Sequence, residues 1–196
     1  MKKIFSLIAI TVALLVFSEA AKADPMVFTT TLSGANEVPP VISPGVGNAI
    51  VTVDGNIMTV NANFSGLLFN TIAAHIHCCV PPGVNAMVAT TTPSFPGFPL
   101  GVTSGLFSNT FDLTLASTYN PAFIAARGGT VDGARAAFLA GLQGGQTYFN
   151  IHTTAFQGGE IRGQLQPVPE PATLLLLSTG LAGIAAKVRK RKKKEE

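Results

Sequence analysis

Ala49-Ile50-Val51-Thr52-Val53-Asp54-Gly55-Asn56-Ile57-Met58-Thr59-Val60-Asn61-Ala62-Asn63-Phe64 reads as two β-rich runs on either side of Asp54-Gly55-Asn56. A three-residue, glycine-containing connection between such runs predicts a β-hairpin. Working outward, residues 27–32 (VFTTTL) read as an earlier strand ended by Ser33-Gly34-Ala35-Asn36, and further strands are expected at 72–79, 105–115, 147–153 and 160–166. Several short strands with turn signals between them predict an all-β domain, a sandwich or a barrel. One stretch departs from this pattern. Thr130 and Asp132 are capping types ahead of the helix formers at 134–142, so a short crossover helix is expected there, with a further turn at 121–126. Phe138 and Leu142 are spaced to share its buried face.

The chain has 196 residues, 47% of them hydrophobic and 12% charged, which excludes a disordered polar chain and leaves room for one domain. Its formal charge of +3 is made by the two ends. Residues 24–168 carry six acids against three arginines and no lysine, a formal charge of −3. A basic patch interleaved with aromatics is missing, so a nucleic-acid partner is excluded. The two cysteines, Cys78 and Cys79, are adjacent and cannot staple distant parts of a fold.

Both ends carry addresses. Lys2 and Lys3 precede an apolar run from 4 to 17, followed by Ala21-Lys22-Ala23, so residues 1–23 read as a secretory signal cut by signal peptidase after Ala23. The domain then spans 24–167. The last segment, 168–196, holds Pro169-Glu170-Pro171, an apolar stretch at 172–186 and a basic run at 187–194. Fifteen helical residues cover only about 22 Å of a hydrocarbon core about 30 Å thick, so a membrane helix here relies on snorkelling lysines and arginines. Positive charge holds that end in the cytoplasm and leaves the domain outside the inner membrane.

The candidate chemistry is concentrated in three strands. In Ala74-His75-Ile76-His77-Cys78-Cys79 the side chains alternate, so His75, His77 and Cys79 share one face. In Tyr148-Phe149-Asn150-Ile151-His152-Thr153 the apolar Phe149 and Ile151 turn Tyr148, Asn150 and His152 the other way, and in the last strand Glu160, Arg162 and Gln164 oppose Ile161 and Leu165. If the three strands are neighbours, they offer one polar face with His75, His77, His152, Glu160 and Arg162. Imidazoles with a thiolate suit zinc or copper, which makes His75, His77 and His152 candidate ligands and Cys79 a candidate fourth. The alternative is that these histidines only hydrogen-bond loop backbone and neighbours such as Glu160 and Asn150. Adjacent Cα atoms lie about 3.8 Å apart, short of the usual disulfide range, yet a Cys78–Cys79 bond can form in an oxidising compartment. The Gly-x-Ser-x-Gly elbow and a close carboxylate pair are both absent, so no catalytic residue is assigned and the protein is expected not to be an enzyme.

Leu32-Ser33-Gly34-Ala35-Asn36-Glu37-Val38-Pro39-Pro40, Ala74-His75-Ile76-His77, Tyr148-Phe149-Asn150-Ile151-His152-Thr153 and Gly159-Glu160-Ile161-Arg162-Gly163-Gln164-Leu165 together resemble the CHRD domain, named for repeats in chordin. The C-terminal segment resembles the PEP-CTERM sorting signal. That resemblance implies an exosortase-type protease that recognises Pro169, Glu170 and Pro171 and passes the domain toward the cell surface or an exopolysaccharide matrix. A His-x-His strand with a later strand histidine is also similar to the copper site of Cu/Zn superoxide dismutase, although a fourth copper-ligating histidine and a zinc loop are missing. The expected fold is thus an Ig-like or superoxide-dismutase-like β-sandwich with a crossover helix, plus one C-terminal membrane helix. The expected function is an exported binding or structural module of the envelope or matrix, whose matrix ligand the residues do not name. The alternative is a zinc or copper metalloprotein, redox active in the manner of superoxide dismutase.

Overall fold

The computed structural model describes residues 24–169 and, in the C-terminal segment, residues 179–181, 183, 184 and 187. The expected signal at 1–23, Glu170, Pro171 and most of the expected membrane helix at 172–186 lie outside the described residues. The few C-terminal residues that are described are helical and exposed. No helix among the described residues is long and apolar enough to cross a membrane.

Among the described residues, nine strands form one antiparallel sheet: β1 (Met26–Ser33), β2 (Val46–Asp54), β3 (Ile57–Ser65), β4 (Thr71–Cys78), β5 (Met87–Val88), β6 (Gly105–Asp112), β7 (Thr147–Thr153), β8 (Ile161–Gln164) and β9 (Gln166–Pro167). Their spatial order is β5-β4-β7-β8-β1-β2-β3-β6, with β9 added alongside β1. The hairpin expected at 49–64 is present, and it is tighter than expected. Asp54 pairs with Ile57, so the connection is the two residues Gly55 and Asn56. Gly55 alone has positive φ, at 60°, which suits a type II′ turn, where glycine takes the first central position.

Strict alternation in β2 and β3 places Ala49, Val51, Val53, Met58, Val60, Ala62 and Phe64 in the core and their neighbours outside. The sheet does not lie flat. Phe95, in the loop between β5 and β6, touches Phe149 of β7 (6.0 Å between ring centroids) and also Phe107 and Phe111 of the edge strand β6 (5.7 and 5.1 Å). Strands far apart in the sheet order therefore meet across one core, which requires the sheet to curl on itself.

Two helices close the core, α1 (Pro121–Ala126) and α2 (Val131–Gln143). Asn120 caps the first, accepting from the Ala122 N–H, and Thr130 caps the second, accepting from the Gly133 N–H. Phe138 and Leu142 of α2 are fully buried, as their spacing predicts. Cys78 and Cys79 are joined as a vicinal disulfide at the end of β4, and both sulfurs lie against the Ala137 carbonyl of α2.

Candidate metal centre

β4 and β7 are neighbours, with His75 opposite Asn150, His77 opposite Tyr148 and Ala73 opposite His152; β8 joins on the other side, with Arg162 opposite Asn150. Residues directly opposite each other point to the same side of a sheet. The strand pairing that alternation could not supply is therefore present, and His75, His77, His152 and Arg162 share one face. Each histidine is no more than 7% exposed.

Two residues expected on this face are not there. Glu160 precedes β8 rather than belonging to it, so strand alternation does not govern it. Its Oε1 accepts from Ser43 Oγ and the Leu68 N–H, both at 2.6 Å, and its Oε2 accepts from Thr153 Oγ1 at 2.8 Å. Thr153 lies on the opposite face of β7 from His152. Cys79, the candidate fourth ligand, lies beyond the end of β4, and its sulfur is bonded to Cys78 beneath α2 instead of facing the imidazoles. Among the described residues, the metal-capable group is His75, His77 and His152, one ring nitrogen of each lying within 4.8 Å of the others'.

The hydrogen bonds of the three rings fix which nitrogens carry lone pairs. A backbone carbonyl can only accept, so the ring nitrogen facing one must be the N–H. His75 Nε2 donates to Pro93 O (2.8 Å), His77 Nδ1 to Ala86 O (2.8 Å) and His152 Nδ1 to Gln157 O (2.9 Å). The remaining nitrogens, His75 Nδ1, His77 Nε2 and His152 Nε2, are therefore acceptors. His75 Nδ1 and His152 Nε2 face each other at 3.2 Å with no proton of their own to share, and His77 Nε2 is buried without a partner. Two nitrogens bound to one tetrahedral zinc at 2.0 to 2.1 Å are about 3.3 Å apart. The His75–His152 separation thus already matches what a shared ion requires.

The electrostatics agree. Burial, helped by repulsion from His152, lowers the His75 pKa to about 4. Burial outweighs the Ala86 bond at His77 and takes it to about 4 as well, and burial also lowers His152. The rings are neutral at neutral pH, which is the form that binds metal. Backbone carbonyls on three loops orient them, the outer-shell arrangement that metal-binding imidazoles use.

Around this trio lies a supporting layer, in which alternation places Tyr148 and Arg162 on the same face but gives no sign of Glu37. Tyr148 stacks on His77, with centroids 4.6 Å apart and planes at 9°, and its hydroxyl accepts from the N–H of Ala86, the residue whose carbonyl holds His77. The Arg162 guanidinium sits over the other side of Tyr148 at 4.5 Å and donates to Asn36 O and Asn85 Oδ1. Glu37 is nearby, with Oε2 3.9 Å from Arg162 Nε and Oε1 buried without a partner. Burial, only partly opposed by Arg162, raises the Glu37 pKa to about 7. Glu37, His75, Asn150 and Arg162 come from four separate sequence motifs, and the fold gathers them on one side of three strands.

Fold and site together define a mostly β domain with a buried three-histidine centre. A model of the CHRD domain matches residues 28–165, and the chain belongs to that family. A PEP-CTERM protein-sorting motif matches residues 167–192 and marks an exported, envelope-associated protein sorted by an exosortase-type system. No curated protein and no solved structure matches the chain.

Proposed function

We propose that the mature domain is an exported module of the cell envelope or extracellular matrix that holds one zinc or copper ion through His75, His77 and His152. One observation carries this: three imidazoles, each with one ring nitrogen tied to a loop carbonyl, bring one ring nitrogen apiece to within 4.8 Å of one another. Hydrogen bonding alone gives a weaker explanation, because it leaves His77 Nε2 unsatisfied and sets two acceptors against each other, both of which are unfavourable when buried. The role assigned is binding and structural support, without turnover.

In the same proposal the two halves of the curled sheet act as the layers of an Ig-like sandwich. Signal peptidase removes 1–23, residues 172–186 hold the chain in the inner membrane with the domain on the periplasmic side, and the exosortase-type protease then acts near Pro169, Glu170 and Pro171. The sorting motif begins close to the folded domain, since the Val168 N–H still donates to Val27 O and Pro167 pairs with Phe28. The test is titration of zinc and of copper into the metal-stripped processed protein, in competition with a chromophoric chelator. One equivalent bound by the wild type and none by His75→Ala/His77→Ala supports the proposal. Equal uptake by both proteins refutes it.

A further inference from the structure

The outer face of β1, β2, β3 and β6 continues the histidine side of the sheet beyond Arg162, which pairs with Ser33 of β1, and has a different chemistry. The strand registers set Thr31, Asn48, Asn63 and Leu106 side by side in one row, and Thr29, Ile50, Asn61 and Ser108 in the next. A third row holds Val27, Thr52, Thr59 and Thr110. With strands about 4.8 Å apart and same-face residues about 6.8 Å apart, the three rows cover about 14 by 14 Å between Cα positions. None of these twelve side chains is charged; Asp54 and Asp112 border the patch in the following row, and Arg162, which is buried, borders it beyond Thr31 at the other end. Leu106 is 82% exposed, and two shallow depressions of about 460 and 360 Å³ meet at Asn48 and Ile50.

An exposed sheet face usually mixes charges of both signs, which keeps it solvated and unpaired. The chemistry of this face selects among partners. A nucleic acid or an anionic lipid surface needs cations, and the face has none. A protein partner is typically anchored by tryptophan, tyrosine or arginine in a desolvated pocket, and the face has none of these either. What it offers is side-chain amides and hydroxyls at fixed spacing, each able to donate and accept, with Ile50 and Leu106 as apolar contacts. That combination matches the hydroxyls and C–H faces of sugar rings. We propose that this face binds an extended, uncharged polysaccharide. The proposal names a ligand for an exported module and stands independently of the metal centre.

The test is affinity electrophoresis of the full chain, kept in a non-ionic detergent without sugar headgroups, through gels cast with dextran, with mixed-linkage β-glucan or with anionic alginate. Retardation by at least one neutral glycan, none by alginate, and binding at least about tenfold weaker in Asn48→Ala/Asn61→Ala/Asn63→Ala are expected. Circular dichroism and melting of the triple variant serve as the control for folding, and its zinc uptake shows whether the histidine centre is intact. A lack of retardation by both neutral glycans, preference for alginate, or unchanged retardation of the triple variant overturns the proposal. So does sedimentation showing that the face mediates self-association which the triple variant abolishes.

Discussion

Glu37→Gln changes one oxygen to an amide and isolates the most unusual carboxylate in the domain. Glu37 is 5% exposed, its Oε1 has no partner, and its pKa is raised from 4.5 to about 7 because burial outweighs the attraction of Arg162. A carboxyl whose folded pKa lies above its unfolded value binds its proton more tightly in the native state. Its contribution to stability is complete below about pH 4.5 and is lost as the pH rises through about 7. At 1.36 kcal/mol per pKa unit, the loss is at most about 3 kcal/mol. Glutamine cannot ionise, so the variant escapes it. His75 and His77, with lowered pKa values, contribute with the opposite sign, losing stability as the pH falls from 6.5 through about 4, but both proteins carry them and they cancel in the difference. Urea unfolding of the metal-free proteins at several pH values therefore has a definite expectation. From pH 4.5 to pH 8, the stability of Glu37→Gln relative to wild type rises by up to about 3 kcal/mol, a midpoint shift of roughly 1.5 M urea. A difference that does not change with pH, or one that moves against the variant at pH 8, refutes the assignment of Glu37 as a buried, poorly partnered acid.

Three further outcomes follow from the same geometry. Because His75 and His77 titrate at about 4, protons compete weakly with the metal. Since the His152 pKa is lowered too, zinc affinity measured by chelator competition should fall less between pH 7.5 and about 5.5 than it would for three ordinary histidines with a pKa of about 6.5. Tyr148→Phe removes the acceptor for the Ala86 N–H and frees the loop that holds His77, so zinc affinity should drop by about tenfold while the melting temperature changes little. Gly141→Ala places a Cβ inside contact distance of Cys78 Sγ, with Cys79 Sγ at 3.1 Å. Calorimetry should show destabilisation by about 1 to 2 kcal/mol even though alanine is the better helix former, because overpacking outweighs propensity.

Local features were legible in the sequence, while long-range pairings were not. The hairpin around Asp54-Gly55-Asn56 and the helix expected at 134–142, with Thr130 among its capping candidates, follow from turn chemistry, spacing and capping preference, all set within a few residues, while the structure shortens the turn by one residue and runs the helix from 131 to 143. Alternation likewise put His75 and His77 on one side of a strand and His152 on one side of another. It could not say that β4 pairs with β7, some seventy residues later, since many registers are compatible with the same alternation. Alternation also fails where a strand stops. Glu160 and Cys79 each sit one position outside their strands, where hydrogen-bond donors in one case and the neighbouring sulfur in the other decide the direction of the side chain. The carbonyls of Pro93, Ala86 and Gln157, which orient the imidazoles, leave no sequence signature because every residue has one. The meeting of β6 and β7 around Phe95 depends on the curl of the whole sheet, which no local pattern encodes.

The most direct measurement is elemental analysis of the processed protein, recovered from the cell envelope without a histidine tag, beside His75→Ala/His77→Ala. A three-histidine centre predicts close to one zinc or copper per chain in the wild type and essentially none in a variant that still folds. Wild-type protein that is folded, contains no metal and takes up neither zinc nor copper when they are added would contradict it, leaving the three imidazoles as buried structural groups.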